Sequence, residues 1–259
     1  MNKPLRWAVP VAALGAAGLA LVLPASAASA AAATTYQATL KPLNNSGAAG
    51  TVMVQLVGDQ ATVTEHVTGL AATFGGKPYP HVQHIHIDAK GVCPDMSADT
   101  NNDQVISTTE GAPSYGAIGT TLSTSGDTSP KAGTTLTVAQ SGASFDYNRT
   151  FSIEAKTMAA LGNGTAVVVV HGLDPATLSK KAQAEKSDLV PSLPLAATSP
   201  ALCAHLAVSQ MSTVPGGAPD TGGGSTSGIQ DEALLALGGG LLLAAGGAFT
   251  VRRRLARQS

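Results

Sequence analysis

Three successive segments of the chain alternate apolar and polar residues: 36–40, 50–56 and 60–67, with turn-forming residues between them. A period of two marks strands that bury one face and wet the other. Further strands are predicted at 134–138, 149–153, 165–170 and 202–208. The four consecutive valines at 167–170 leave no polar face, so that strand is expected at the centre of a sheet with both faces covered. One helix is predicted: Asp174 caps it, Pro175 fits its first turn, and it runs to about Ser187. Aromatic residues are few, so the core falls to Val, Leu, Ile, Ala and Thr, which suit pleated sheets. The expected fold is all-β: an antiparallel Greek-key sandwich or flattened barrel with one short helix in a late loop.

The two ends of the chain do not belong to that domain. Lys3 and Arg6 precede an apolar run, which exits through the small residues Ala25, Ser26 and Ala27 and then Ala28, Ser29 and Ala30. This is the pattern of a secretory signal peptide over 1–30. At the other end, 233–251 is an uncharged stretch rich in Leu, Ala and Gly, and its 19 residues are enough for a transmembrane helix. Asp231 and Glu232 precede it, and a basic tail, 252–259, follows with Arg252, Arg253, Arg254 and Arg257. By the positive-inside rule the tail is cytoplasmic and the N-terminal part lies outside. Between the domain and the span, 210–232 is a Gly/Ser/Pro-rich linker with little to bury. It carries Ala218, Pro219, Asp220, Thr221 and Gly222. Together with the apolar span and the arginines, these residues resemble the sorting signal of Gram-positive surface proteins. The resemblance implies sortase as a partner, which cuts after Thr221 and joins it to peptidoglycan. Ala218 stands where that family has Leu; uncut, the protein would be a single-pass membrane protein facing outward. Both routes put 31–209 on the extracellular face as an ectodomain.

From Ala31 to Thr221 there are nine Lys or Arg and fourteen Asp or Glu, hence five net negative charges and no basic cluster. That excludes nucleic acid as a partner and leaves the surface ligand open. Cys93 and Cys203 are the two cysteines. In an oxidising compartment such a pair forms one disulfide, the alternative being two separate buried thiols.

The chemistry centres on His84-Ile85-His86. On a strand these imidazoles share a face, a natural start for a copper or zinc site, although a polar strand face would explain them equally. This segment, followed by a glycine and Cys93, resembles Cu/Zn superoxide dismutase, where a His-x-His supplies two copper ligands and the following cysteine pairs with one near the last strand. The valine run ending in His171 and Gly172 resembles that family's late strand with another copper-binding histidine. Pro200-Ala201-Leu202-Cys203-Ala204 resembles its terminal segment. The resemblance covers 36–208 and implies a copper site of His84, His86 and His171, completed by His81 or water, and a Cys93–Cys203 disulfide. Two departures stand against the enzyme. No histidine lies between Cys93 and His171, so no zinc site is expected, and Pro200 replaces the family's active-site arginine. The glycine-rich turn with Thr68, Gly69 and Leu70 before the His-x-His also resembles the CHRD-type extracellular domain. The expectation is a metal-binding, adhesive or scaffolding module without dismutase turnover; the alternative is a copper-only dismutase.

A second cation is suggested by 99–110. Asp99, Asn101, Asp103, Ser107 and Glu110, with the carbonyl of Val105, match an EF-hand calcium loop, except that Gln104 stands where the pattern has Gly. An ordinary polar turn uses the same residue types.

Overall fold

The alternating segments do form strands. In the computed structural model residues 32–209 are described; the expected signal peptide, the linker with Pro219, Asp220, Thr221 and Gly222, the apolar span and the basic tail lie outside them. Among the described residues no helix is long and apolar enough to cross a membrane. The strands that build the main sheet are β1 (Thr34–Pro42), β2 (Ala49–Val57), β3 (Gln60–Thr68), β4 (Gln83–Ile87), β5 (Ala117–Thr121), β6 (Phe145–Ser152), β7 (Val167–His171), β8 (Pro200–His205) and β9 (Ala207–Val208). Their order is β6-β3-β2-β1-β8-β7-β4-β5, with β9 also on β1, and every pairing is antiparallel.

The sheet curls because its two halves share little register. β1 pairs with β2 from Thr34↔Leu56 to Leu40↔Gly50, but it meets β8 only at Lys41↔Cys203 and Pro42↔Leu202. The result is a half-barrel whose concave side holds Leu40, Val52, Val54, Val63, Ile85, Val168 and Leu202 in one core. Burying such aliphatic side chains contributes roughly 1.5–3 kcal/mol each before chain entropy is set against it.

The valine run behaves as expected. All four residues are 0% exposed: Val168 and Val170 face the main core, while Val167 and Val169 join Tyr115 and Cys203 in a smaller cluster on the other face. That second face is roofed by the long loops after β4, β5 and β7. Cys93 and Cys203 are bonded with Cα atoms 5.8 Å apart, tying the loop after β4 to β8.

Two expectations are corrected. The predicted strand at 134–138 is instead a 3-10 turn, Leu136–Val138. Leu136 stays 45% exposed, so the alternation there has no buried face to stabilise a strand. The predicted helix from Asp174 breaks in two. Asp174 caps only a 3-10 turn, Pro175–Thr177, because Ser179 caps a second start by accepting from the N–H of Ala182. The short helix that follows is Lys180–Ala184. Two helices of eight residues were not anticipated: α1 (Thr108–Tyr115), in the roof, and α2 (Ala155–Gly162), between β6 and β7.

Candidate metal centre

β4 and β7 lie side by side, with His84 opposite Val169 and His86 opposite Val167. Cross-strand partners share a face, so both imidazoles project beneath the roof. His171 ends β7, its N–H bonded to the carbonyl of Val82 at 2.9 Å, which brings its side chain to the same face. The ladder is irregular at two of the three histidines, between Ile85 and His86 and between Val170 and His171. Such irregularities re-aim side chains locally. The ligand-capable nitrogens of His84, His86 and His171 all lie within 4.8 Å of one another, and the three residues are buried.

Each ring is oriented by a carbonyl. His84 Nε2 donates to Gly133 O at 2.9 Å, His86 Nδ1 to Gly116 O at 2.9 Å, and His171 Nδ1 to Thr198 O at 2.6 Å. A carbonyl can only accept, so in the neutral ring the proton sits on the nitrogen facing it and a lone pair remains on the other. Those other atoms, His84 Nδ1, His86 Nε2 and His171 Nε2, are buried and without any hydrogen-bond partner. Three lone pairs thus converge with nothing to receive them, a costly arrangement unless a cation completes it.

Electrostatics keep the rings neutral. Burial lowers the pKa of His84 well below its usual value, with the neighbouring His171 and His86 adding to the effect. Burial, then His171, brings His86 to about 3, and burial brings His171 to about 4. Neutral imidazoles are the form a metal binds. Tyr115, at the end of α1, packs edge-on against His86 with ring centroids 4.6 Å apart. Its hydroxyl donates to Thr108 O at 3.0 Å, so its proton is engaged there and not at the three nitrogens.

The fourth candidate, His81, does not join the trio. Its Nδ1 lies 2.9 Å from His171 O and its Nε2 2.9 Å from Ala71 O, so both nitrogens are turned to backbone carbonyls. It braces the backbone of His171 instead of adding a ligand.

In the 99–110 loop the oxygens engage the loop's own backbone. Asp99 accepts from the N–H groups of Asp103 and Gln104, Asn101 from Asp103, and Asp103 from Val105. Asn102 and Gln104 both take left-handed conformations, with φ of 57° and 74°. Ser107 and Glu110 form a capping box that starts α1: Ser107 Oγ accepts from Glu110 N–H and Glu110 Oε2 from Ser107 N–H. Glu110 Oε1 also accepts from the N–H and hydroxyl of Thr100, and these hydrogen bonds outweigh desolvation to hold its pKa below the usual range.

The histidines open onto a cavity of about 300 Å³ under the roof, lined also by Val82, Ala112, Ala117, Ile118 and Leu189. The residues that sequence reasoning missed are the ones that orient the rings: Gly116, Gly133 and Thr198 through their carbonyls, and Tyr115. Glycine was the available signal for the first two. A Cβ on Gly116 would stand 1.8 Å from Ile87 O, and one on Gly133 2.6 Å from Ile118 Cδ1. No protein-family model matches this chain, and no curated protein matches it.

Proposed function

We propose that this chain is a cell-surface copper-binding module with a superoxide dismutase-like Greek-key barrel, working by holding the metal and not by turning over superoxide. The observation that carries it is the set of three buried, unpartnered nitrogens on His84, His86 and His171. An all-imidazole set suits copper, zinc or nickel, and copper(II) binds most tightly in the order of divalent affinities. Bound there, copper would bring redox and Lewis-acid capacity; the chain's part is to orient three neutral rings through Gly116, Gly133 and Thr198. The strand order supports the architecture: β1, β2 and β3 are consecutive neighbours, and β8, reached by a long connection, lies beside β1. Surface display rests on the sequence of the two ends, with sortase or the membrane as the anchor.

Holding is favoured over turnover by the charge around the site. No Lys or Arg lines the cavity, and Pro200, aligned with His171 on the adjacent strand, stands where the resemblance calls for arginine. A dismutase draws its anion with positive potential. The test is a superoxide assay on the copper-loaded full chain. Copper retained without turnover above that of the His84→Ala/His86→Ala/His171→Ala variant supports the module. Rapid turnover that the variant loses would instead establish the copper-only dismutase.

A further inference from the structure

The cavity above the trio has a character of its own. Of its fourteen lining residues, none is Lys, Arg, Asp or Glu. Ala112 on α1, Ala117 and Ile118 on β5, Val82 and Leu189 give it apolar walls, with threonine hydroxyls as the main other polar groups. One of those threonines, Thr108, already donates its hydroxyl to Thr198 O. A carboxylate stands beside the lining: Asp188, next to Leu189, accepts from the backbone N–H of Thr109 at 3.1 Å. A small anion entering here would leave water for apolar walls beside a carboxylate, with no Lys or Arg in the lining to meet it. A neutral molecule would lose little solvation and gain the walls.

We infer that the cavity admits a small neutral molecule with an apolar body and one uncharged nitrogen donor, which approaches a metal held by His84, His86 and His171, and that it discriminates against small anions. This rests on the metal reading above. The size fits: about 300 Å³ is at the lower end of small-molecule pockets and matches one or two rings. The polarity fits as well, since such pockets are mostly apolar with a single orienting polar point. In this cavity that point is the metal at its floor. The selectivity follows from walls that remain when the ligand changes, so it is a property of Ala112, Ile118 and Leu189 and not of the metal.

The test uses the copper-loaded full chain and follows the visible and paramagnetic-resonance spectra of copper during titration with imidazole, 4-phenylimidazole and azide. The expected result is that 4-phenylimidazole binds at least about tenfold more tightly than imidazole, the gain from burying the added ring. Azide should perturb the copper spectrum only at far higher concentration. The Ala112→Phe variant, which fills the cavity from α1, should keep its copper content and lose the preference for 4-phenylimidazole. If the copper-loaded chain binds azide as readily as imidazole, or gains nothing from the phenyl ring, the inference is overturned while the metal reading stands. If the chain takes up no copper, both fall. Equal 4-phenylimidazole preference in the Ala112→Phe variant would also overturn the inference, because the walls would then not be its source.

Discussion

A histidine whose one nitrogen already donates to a carbonyl has only a lone pair left to offer. At His84, His86 and His171 that lone pair is buried, and the three meet. The residues that impose this are silent in chemistry: two are glycines acting through their carbonyls. Gly116 has φ of +94°, and a Cβ there would overlap Ile87 O. Gly116→Ala should therefore cost about 1–3 kcal/mol through backbone strain alone. Because Gly116 O is the acceptor for His86, it should also lower copper affinity by about tenfold or more, as the loss of an orienting partner does. Gly162→Ala, where nothing lies within 4 Å of the added carbon and φ is ordinary, is the matched control and should leave both unchanged or slightly improved. Thermal unfolding and copper titration of the two variants read this directly; equal behaviour would mean the carbonyl of Gly116 does not orient His86.

A buried ionisable group of another kind lies on the core side of the sheet. Glu65 on β3 is 1% exposed and its carboxyl oxygens lack partners, while the amide of Gln83 on β4, close enough to oppose the shift, is equally unpartnered. Burial pushes the Glu65 pKa up to about 8 from 4.5. The folded state thus binds a proton more tightly than the unfolded chain. Its contribution is neutral below pH 4.5, becomes destabilising as pH rises, and levels off above pH 8. At pH 7 the cost is about 3 kcal/mol. Glu65→Gln should remove this dependence, so that denaturant unfolding shows the variant gaining stability over the parent from pH 5 to pH 8. A difference between parent and variant that stays constant across that range would show that Glu65 finds a partner.

At the scale of elements, the roof over the three histidines is held by one covalent tie. The Cys93–Cys203 bond closes a sequence separation of 110 residues that includes His171, while His84 and His86 precede it on β4. Cys93→Ala/Cys203→Ala should lower stability by about 2–4 kcal/mol, measured by denaturant unfolding and reproduced in the parent by reductant. Unchanged stability would mean the loop after β4 is held by packing alone. The elements also show what the sequence can and cannot disclose. The strands β1, β2, β3 and β7 were legible because burial on one face, or on both, is written directly as alternation or as a valine run. His84 and His86 were legible because a period of two needs no tertiary information. His171 was reached through resemblance, and its approach to the pair depends on β7 lying against β4, a long-range pairing no local pattern contains. The 134–138 segment misled because alternation marks a possible face without requiring a partner strand. Helix α1 was hidden by its own cap: Ser107 and Glu110 form the Ser-x-x-Glu signature of a helix start, yet the same oxygens fit a calcium loop. His81 has the residue type of a ligand, and only its two carbonyl neighbours separate it from the trio.

The whole molecule divides its labour between two faces of one curled sheet. The concave face is an aliphatic core; the opposite face of the β8-β7-β4-β5 half carries the histidines beneath long loops. A strand buried on both faces, β7, is what lets one element serve both: Val168 and Val170 stabilise the core while His171 completes the site. The proposed work of the protein follows from this placement, a metal held on rigid strands and approached through neutral walls. The measurement that tests it most directly is the copper content of the full chain after loading and removal of excess metal, compared with single His84→Ala, His86→Ala and His171→Ala variants and with His81→Ala. One copper per chain in the parent, lost or sharply weakened in each of the first three and retained in the His81 variant, is the predicted result. Absence of copper in the parent, or copper that survives loss of any one of His84, His86 and His171 undiminished, would contradict it.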